Sequence, residues 1–348
     1  MKITLLILSM VVAVLSSNTT VFAQSQSYRT LTVDGDSRRY LLYLPDDFDA
    51  SENMPVMMWF HGGGGTAAGG VFEADFRSLA DTNRFMVVYA EAYPDVLEGC
   101  RCWGYDSGDG ETNGNYEMDL AYSSAMIDDL VDTYNADRSR IYAGGYSMGA
   151  SFAWDLAKEK SDEFAAIAPV AASMYMWSFE TADAALPIAI CHILGTNDFY
   201  APYNGASWVP SVANQNAYWV AKNGAQDPPE VVSTGFGSGV TRYTWASDPA
   251  ESCHGYQHFR RQGGGHDVPG FAPSAIWDFV SQYDLDGSID ECGGQSIPGD
   301  LTGDDQVNGA DLGLFLTRWG TNDSDADLNG NGSVEGADLG ILLLNWTI

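Results

Sequence analysis

The chain has 348 residues, of which 45% are hydrophobic, and its formal net charge is −31, from 47 acidic and 16 basic residues. This length and composition predict a globular protein with one large domain, or one medium domain with an appendage, and argue against a disordered chain. Because such an excess of acidic residues repels polyanions, we expect no nucleic-acid partner.

The amino-terminal segment has the layout of a cleaved secretory signal peptide. Lys2 is followed by the apolar run ITLLILSMVVAVL, and a polar stretch then closes on VFA. The apolar run is shorter than the roughly 20 residues that a membrane-spanning helix needs. We therefore predict a signal peptide over residues 1–23, a secreted, extracellular protein and no membrane span.

Five cysteines follow this segment: Cys100, Cys102, Cys191, Cys253 and Cys292. In an exported protein they can form disulfides, and an odd number leaves at least one thiol free or paired between chains. The CRC spacing lacks the two-residue spacer and the second pair that zinc sites use. We expect one disulfide between the GCRCW loop and Cys253.

Short apolar strands alternate with helical stretches between residues 28 and 284. Strands are predicted at RYLLYLP, PVMMWFHG, FMVVYAEA, RIYAGGYS and PIAICHILG, and helices at EMDLAYSSAMIDDLVDTYN, GASFAWDLAKEK and SAIWDFVSQYD. Nearly continuous apolar strands are typical of a mostly parallel sheet that is covered on both faces. We predict an α/β domain over residues 24–284, and a linker over residues 285–297, where small and polar residues take over.

Ser147 lies between two glycines in the segment RIYAGGYSMGASF, at the predicted junction of a strand and a helix. The nucleophile of an α/β-hydrolase occupies such a sharp turn, because its hydroxyl is then exposed above the sheet near backbone N–H groups. GxSxG alone also occurs by chance in glycine-rich proteins. The flanking strand and helix favour the catalytic interpretation, so we predict an α/β-hydrolase sandwich with Ser147 as nucleophile.

A run of glycines ends the predicted strand VMMWFHGGGG. It is either a flexible turn or the HGGG-type loop from which such enzymes take one oxyanion N–H, the second coming from the residue after the nucleophile. We predict Gly63 and Met148 as the two donors, with Gly64 as the alternative to Gly63.

The acid and the base are expected downstream, in the order carboxylate then histidine. The segment HILGTNDFYAPYNG places Asp198 at the end of a predicted buried strand, and RRQGGGHDVPG places His266 on a glycine-rich loop before the last helix. The rival carboxylates lie in polar stretches, and the other histidines in the glycine loop, a strand or a polar segment: Asp162, Asp183, His61, His192, His254 and His258. We predict that His266 takes the Ser147 proton and that Asp198 orients His266.

Several segments, in chain order, resemble one secreted esterase family: RRYLLYLP, FHGGGGTA, YPDVLEGCRCWG, EMDLAY, SRIYAGGYSMGA, HILGTNDFYAPYNG and GGGHDVPG. This family holds polyhydroxybutyrate depolymerases and carbohydrate esterase family 1 feruloyl and acetylxylan esterases. The resemblance implies the same catalytic residues and no cofactor for catalysis. Trp103 is a candidate for stacking on an aromatic acyl group or a sugar ring, with packing against the core as the alternative. Residues 174–177 are candidates for the acyl pocket, with core packing expected for at least half of them.

The carboxyl-terminal residues contain a duplicated acidic segment, GDLTGDDQVNGADLGLFLTRWG followed by ADLNGNGSVEGADLGILLLNWT. Oxygen-bearing residues occupy loop positions 1, 3, 5, 9 and 12 of each copy, as in EF-hand-like calcium loops. The predicted ligands are Asp300, Thr302, Asp304, Asn308 and Asp311 in the first copy, and Asp327, Asn329, Asn331, Glu335 and Asp338 in the second. A disordered acidic tail is the alternative, but it would not repeat the apolar ADLGxxL pattern.

The duplicated segment resembles the dockerin domain, so residues 298–348 are expected to form a small all-α, calcium-binding, dockerin-like domain. That resemblance implies a cohesin-type protein or a cell surface as a possible partner. Both copies read Gly-Ala at loop positions 10 and 11, where cellulosomal dockerins carry a hydroxyl pair.

The leading prediction is a secreted serine esterase that acts on a polymeric ester, with feruloyl or acetyl groups on xylan or a similar plant or algal polysaccharide as the expected substrate. Poly(3-hydroxybutyrate) or another polyester is the alternative substrate. A non-catalytic, calcium-dependent adhesion protein and a peptidase are alternatives from other classes.

Overall fold

The computed structural model describes residues 25–95, 99–106, 112–113, 115–182, 185–290, 299–302, 306–321, 323, 326–329 and 331–347. The predicted signal peptide lies outside these ranges, as do Asp183, Cys292 and Asp304. Within the ranges, no helix has the length and the hydropathy needed to cross a membrane.

Most of the strands join one mixed sheet. In chain order the strands are β1 (Gln26–Val33), β2 (Asp36–Tyr43), β3 (Met54–Phe60), β4 (Met86–Ala90), β5 (Pro94–Asp95), β6 (Cys100–Arg101), β7 (Tyr105–Asp106), β8 (Thr112–Asn113), β9 (Ala136–Tyr146), β10 (Ala166–Val170), β11 (Ala189–Gly195), β12 (Glu230–Val232), β13 (Val240–Trp245), β14 (Tyr256–Arg261), β15 (Tyr283–Asp284) and β16 (Gly287–Ser288). The ten-stranded sheet has the order β1-β2-β4-β3-β9-β10-β11-β14-β13-β12.

The six central strands of the sheet are parallel: β4, β3, β9, β10, β11 and β14. Antiparallel strands flank them, β1 and β2 on one side and β12 and β13 on the other. Every residue of β3, β4, β10 and β11 is buried. This burial explains the continuous apolar runs in the sequence, because helices cover both faces of a parallel sheet.

The helices are α1 (Ala67–Glu73), α2 (Arg77–Asn83), α3 (Tyr116–Tyr134), α4 (Met148–Glu159), α5 (Met176–Glu180), α6 (Val212–Lys222), α7 (Ala272–Val280), α8 (Gly309–Thr317) and α9 (Gly336–Leu344). One hydrophobic core lies between the sheet and α3, α4 and α6, and a second lies between the opposite face and α1, α2 and α7. Alternate residues of β3 enter opposite cores, Met58 the first and Trp59 the second.

The sequence predicted the buried strands better than the edges of the sheet. The five predicted strands correspond to β2, β3, β4, β9 and β11, and the three predicted helices to α3, α4 and α7. The structure adds β10, β14, the antiparallel strands β12 and β13, and α6. Strands such as β13 carry half-buried side chains at the end of the sheet and therefore show no continuous apolar run.

The predicted linker starts with residues that contact the α/β domain. β15 and β16 form a hairpin, and the Leu285 N–H donates to the Ser139 carbonyl at 3.0 Å. The Ser288 N–H likewise donates to the Cys253 carbonyl at 2.9 Å. Residues 285–290 therefore pack on the α/β domain, while residues 291–298 lie outside the described residues.

The two acidic repeats form one small unit with a core of its own. Its buried side chains are Val307, Phe315, Ala326, Val334 and Leu342. The Thr347 N–H donates to the Val307 carbonyl at 2.9 Å, so the end of the second repeat is bonded to the first. The repeated apolar pattern thus supplies the two helices that bury this core.

The expected disulfide from the GCRCW loop to Cys253 is wrong. Cys100 and Cys102 are bonded to each other, and Cys253 takes part in a different disulfide. Cys191 is a buried free thiol in β11. The bonded Cys100 and Cys102 are only two positions apart in the chain, with Cα atoms 5.5 Å apart, a separation that a disulfide can bridge.

Four of the five histidines are buried: His61, His192, His254 and His258. Burial lowers the pKa of all four, because a charged imidazolium is poorly solvated in the protein interior. The pKa of His192 falls to about 3. The folded protein therefore holds these rings neutral at pH values where an unfolded chain takes up protons.

We predict that the free energy of unfolding falls as the pH drops below about 6.5, the ordinary pKa of histidine. Each neutral buried ring contributes a loss of up to about 1.4 kcal/mol per pH unit, until its own folded pKa is reached. Urea unfolding at pH 6.5 and pH 5.5 measures this loss. His254→Asn should reduce the pH dependence, because asparagine does not titrate. Its amide nitrogen can replace the Nδ1 that contacts the Ser252 carbonyl. An unchanged stability across this pH range would contradict the prediction.

Candidate active site

Ser147 occupies a strained turn between β9 and α4. Its φ and ψ are 54° and −118°, a backbone conformation that residues other than glycine rarely adopt. The flanking glycines are required by close approach: a Cβ at Gly149 would lie 2.0 Å from the Phe60 carbonyl oxygen, and one at Gly145 would lie 2.4 Å from Gly149. The GxSxG pattern is therefore a consequence of backbone packing at the end of β3.

The structure brings Ser147, His266 and Asp198 into one hydrogen-bonded chain. His266 Nε2 lies 2.9 Å from Ser147 Oγ, and His266 Nδ1 lies 2.8 Å from Asp198 Oδ2. The Asp198 side chain is fully buried, while the His266 side chain is 18% exposed. The rival Asp162 is exposed on the turn after α4.

Asp198 is fixed by its own loop. Its Oδ1 accepts the backbone N–H groups of Tyr200 and Ala201, both at 2.9 Å. A Cβ at Gly195 would lie 2.2 Å from the Gly264 carbonyl oxygen, so the loops after β11 and β14 are in direct backbone contact. This close approach places His266 beside the carboxylate.

The predicted oxyanion donors lie next to each other. Among the described residues the Gly63 N–H has no hydrogen-bond partner, whereas the Gly64 N–H donates to the Arg101 carbonyl at 2.8 Å. Gly63 packs against Met148, since a Cβ there would lie 2.7 Å from the Met148 sulfur. Met148 begins α4, where backbone N–H groups lack intrahelical acceptors. The geometry thus favours Gly63 over Gly64.

His61 and Glu73 hold the glycine loop in place. His61 Nε2 accepts the Ala92 N–H at 3.1 Å, so the proton is on Nδ1, which faces the Gly62 carbonyl at 2.7 Å. The Glu73 carboxylate accepts the Gly62 N–H and the Trp59 indole N–H, both at 3.1 Å. Burial raises the Glu73 pKa, against the lowering effect of these two hydrogen bonds. The sequence analysis assigned no role to Glu73, and nothing in its local pattern indicates one.

Trp103 does not contact the catalytic pocket, which corrects the expected role in substrate stacking. Its side chain is buried, and its indole N–H donates to the His61 carbonyl at 2.8 Å. The ring stacks on Phe152 and meets Phe60 edge to face. Trp103 thus packs in the core and stabilises the glycine loop through His61, in agreement with the core-packing alternative.

A pocket of about 200 Å³ opens above Ser147. Its walls include Met148, Ser173, Tyr175, Tyr200 and Trp208. Of the candidate pocket residues 174–177, Tyr175 lines this pocket and Met174 is fully buried in the core.

Aromatic side chains extend the surface beside the pocket. Tyr175 and Trp177 stack with ring centroids 5.0 Å apart, and Tyr105 packs against both rings. Phe199 and Tyr200, which directly follow Asp198, are 83% and 69% exposed. The site therefore combines a small pocket with a broad aromatic rim.

The first acidic loop wraps around Asp311, a buried carboxylate at the start of α8. Asp311 Oδ1 accepts the backbone N–H groups of Leu301 and Thr302 and the Thr302 hydroxyl, and Oδ2 accepts the Asn308 N–H. The Thr302 hydroxyl also lies 3.3 Å from Asp300 Oδ1.

The second loop repeats this arrangement around Asp338, at the start of α9. Asp338 accepts the backbone N–H groups of Asn329 and Glu335, at 3.0 and 2.8 Å. Asp327 accepts the Asn331 N–H at 3.1 Å, and the Asn331 side-chain amide donates to Glu335 at 3.2 Å. Asp327 and Asp338 are thus both hydrogen-bonded to backbone N–H groups of the same loop.

The donor set of these loops fits Ca²⁺ in its chemistry. The described side chains offer carboxylate, amide and hydroxyl oxygens. Calcium binds about six to eight such hard oxygen ligands. Across the described ranges, no three acidic, histidine or cysteine side chains gather as a metal cluster. Calcium binding therefore stays a prediction that relies on amide, hydroxyl and backbone oxygens as well as carboxylates.

Comparisons with known proteins find similarity to esterases. Residues 38–188 match the family described as esterase PHB depolymerase. The bifunctional acetylxylan esterase/xylanase XynS20E of Neocallimastix patriciarum is 26% identical over 269 residues, 74% of this chain and 35% of that protein. The probable feruloyl esterase C of Aspergillus niger is 25% identical over 285 residues, 79% of this chain and 96% of that protein.

A solved structure of the acetyl xylan esterase from Aspergillus awamori superimposes with a TM-score of 0.53 and 18% identity, over 73% of this chain and 99% of that chain. The predicted α/β-hydrolase fold is confirmed. The matched region and the site geometry are those of a carboxylic ester hydrolase. The chain spans 35 to 52% of the length of several curated relatives.

Asp198→Asn tests the hydrogen-bonded chain. Because backbone N–H groups occupy Oδ1, the amide oxygen must stay there, and the new NH₂ group faces His266 Nδ1. His266 would then carry its proton on Nε2 and could not accept the Ser147 proton. We expect kcat to fall about 10⁴-fold.

The measurement is hydrolysis of a soluble nitrophenyl ester, with Asp162→Asn as the matched control. The control should keep wild-type activity, and both variants should keep the wild-type unfolding midpoint. Equal activity of Asp198→Asn and Asp162→Asn would exclude Asp198 as the orienting acid.

Proposed function

We propose that the protein is a secreted serine esterase that releases feruloyl or acetyl groups from plant or algal polysaccharide such as xylan. The hydrogen-bonded chain from Ser147 through His266 to Asp198 is the observation that carries this proposal. It supplies a nucleophile, a base and an orienting acid beside two backbone N–H groups, which together suffice for acyl transfer.

In the first half of the reaction, Ser147 Oγ attacks the ester carbonyl carbon while His266 Nε2 takes the hydroxyl proton. The negative charge that develops on the carbonyl oxygen is stabilised by the N–H groups of Gly63 and Met148. As the tetrahedral intermediate collapses, His266 returns the proton to the leaving alcohol oxygen and the acyl group stays on Ser147. Asp198 stabilises the imidazolium in between.

In the second half, a water molecule replaces the alcohol. His266 Nε2 takes a proton from this water as its oxygen attacks the acyl carbon, and the same N–H groups stabilise the oxyanion again. Collapse breaks the bond to Ser147 Oγ, which takes the proton back from His266. The products are the free carboxylic acid and the unmodified enzyme.

The shape of the site supports a polymer-bound ester. The pocket of about 200 Å³ takes the acyl group, and the aromatic rim of Tyr175, Trp177 and Tyr105 offers ring faces to the part that stays outside. Aromatic faces suit both sugar rings and an aromatic acyl group. The similarity to esterases named for acetylxylan and feruloyl substrates points the same way.

A polyester such as poly(3-hydroxybutyrate) is the second candidate substrate. The exposed rings of Phe199 and Tyr200 beside the catalytic carboxylate favour it, since they would adsorb an apolar polymer surface. The family match to esterase PHB depolymerase adds to this support.

The carboxyl-terminal unit is proposed as a calcium-binding, dockerin-like module. The ligands would come from the position 1, 3, 5, 9 and 12 side chains of each loop, and the bound ion would stabilise the loops around Asp311 and Asp338. The unit also exposes apolar side chains at matched positions of the two repeats, Leu316 with Leu343 and Trp319 with Trp346. Such a surface suits a protein partner, of which a cohesin-type protein is the proposed example, or a cell surface.

Product release identifies the substrate. The wild-type enzyme should release ferulate from feruloylated xylan or acetate from acetylated xylan, and Ser147→Ala should reduce either rate by several orders of magnitude, since no other group replaces the nucleophile. Hydroxybutyrate release from a poly(3-hydroxybutyrate) suspension, with inert xylans, would support the second candidate. Equal rates for Ser147→Ala and wild type would reject the serine mechanism.

Calcium removal should affect the acidic repeats and the esterase domain differently. We expect a chelator to unfold the acidic repeats, because their buried carboxylates lose the ion, while hydrolysis of soluble nitrophenyl esters continues at nearly the wild-type rate. Limited proteolysis reports the first effect and a spectrophotometric assay the second. Activity at background in chelator would contradict this division.

A further inference from the structure

A second cavity, of about 850 Å³, lies on the face of the sheet that α6 covers. It is a groove between α6 and β13, and Val212, Val220 and Trp245 are among its walls. Its volume falls within the range of ligand-binding pockets, and it is larger than the pocket above Ser147. Nothing in the catalytic geometry uses it.

The groove exists because α6 presents small residues to the end of the sheet. Ala213, Ala217 and Ala221 recur along one side of α6, and Gly224 follows at its carboxyl end. At this spacing they share one helical face. Larger side chains there would close the space between the helix and β13.

The opposite wall is aromatic. Tyr243 and Trp245 alternate on β13 and therefore point to the same face, with ring centroids 6.2 Å apart and planes inclined by 26°. Tyr203 and His258 continue this wall, hydrogen-bonded to each other at 2.8 Å. Tyr243, Trp245 and Tyr203 are all half-buried, so part of each ring is accessible from the groove.

Polar groups complete the groove. Asp248 and the exposed Glu251 lie along its rim, and the buried amide of Asn216 lies on its helical side. His258 is 1% exposed, and its Nδ1 has no hydrogen-bond partner among the described residues. The walls thus combine flat apolar faces with carboxylate acceptors for hydroxyl groups along the rim.

This chemistry selects a neutral saccharide. The C–H groups on one side of a pyranose ring are weakly positive and pack on the negative face of an aromatic ring. Its hydroxyl groups can donate to the rim carboxylates. Acidic polysaccharides are disfavoured by the same carboxylates and by a net charge of −31.

The groove and the catalytic pocket lie on two sides of one loop, residues 200–212. Tyr200 and Trp208 of this loop line the pocket, whereas Tyr203 and Val212 line the groove. The loop is closed by the hydrogen bond from the Val212 N–H to the Tyr203 carbonyl, at 3.0 Å. A polymer held in the groove is therefore close to the esterase site.

We propose that the groove between α6 and β13 is a non-catalytic binding site for a neutral polysaccharide chain, which keeps the enzyme on its polymeric substrate. Binding in the groove requires no ester and no catalytic residue. The proposal can therefore be tested apart from the esterase activity.

Native gel electrophoresis of the full-length Ser147→Ala variant tests the binding. Gels that contain neutral arabinoxylan should retard the protein, and gels that contain polygalacturonate should not. Adding Trp245→Ala should weaken the retardation about tenfold in apparent Kd, since a central aromatic side chain commonly carries most of such a binding energy. Tyr28→Ala is the matched control, an exposed aromatic residue on β1 at the opposite edge of the sheet.

Ala217→Leu provides a second variant in case Trp245→Ala does not fold. Leucine is a good helix former, and at this exposed position its side chain would occupy the groove. Both variants, made in the active enzyme, should keep the wild-type kcat and KM on a soluble nitrophenyl ester, while KM on esterified arabinoxylan rises about tenfold.

Absence of retardation by arabinoxylan would overturn the proposal, and so would retardation that neither Trp245→Ala nor Ala217→Leu weakens. Failure of the esterase proposal has a different signature, because the protein would then bind arabinoxylan and release no acid from any ester.

Discussion

The strained backbone of Ser147 is the constraint on which the rest of the site depends. A φ of 54° at a residue other than glycine costs on the order of 1–3 kcal/mol. The cost is offset by the burial of β3, β9 and α4, which meet so closely that neither Gly145 nor Gly149 has room for a Cβ. The packing that stabilises the domain thereby holds the serine hydroxyl above the sheet, where it reaches His266.

The parallel strands then determine which residues can join Ser147. The carboxyl ends of β3, β9, β11 and β14 lie at one edge of the sheet, and the loops that follow carry Gly63, Ser147, Asp198 and His266 in that order. Residues far apart in the chain thus meet without any long-range sequence signal. This arrangement is the general way in which open α/β sheets build sites at the ends of their strands.

Residues beneath the site make it rigid. His61 is neutral and uses both ring nitrogens, one toward Gly62 and one toward Ala92. Trp103 donates to the His61 carbonyl, so the glycine loop rests on a buried aromatic cluster rather than on solvent. An oxyanion donor is effective only when it is already in position, since reorientation during the reaction would raise the barrier.

The sequence allowed the buried strands, the turn at Ser147 and the contact between Asp198 and His266 to be predicted, because each has a local signal. It assigned no role to Glu73 and left Trp103 open between substrate stacking and core packing, since both roles are defined by partners elsewhere in the fold. The disulfide between Cys100 and Cys102 was missed although the two cysteines are only two positions apart, because Cys253 was taken as the partner of this loop. Neither β13 nor α6 was predicted, and for β13 the reason is that its half-buried side chains form no continuous apolar run.

Those two elements matter for function, because they change how the loop after Asp198 must be understood. Residues 198–212 begin with the carboxylate that orients His266, continue with Tyr200 and Trp208 in the pocket wall, and end where α6 starts the groove. Asp198 is itself held by the N–H groups of Tyr200 and Ala201, so the position of the acid depends on the conformation of this loop. A single segment therefore sets the catalytic geometry and forms the boundary between the two cavities.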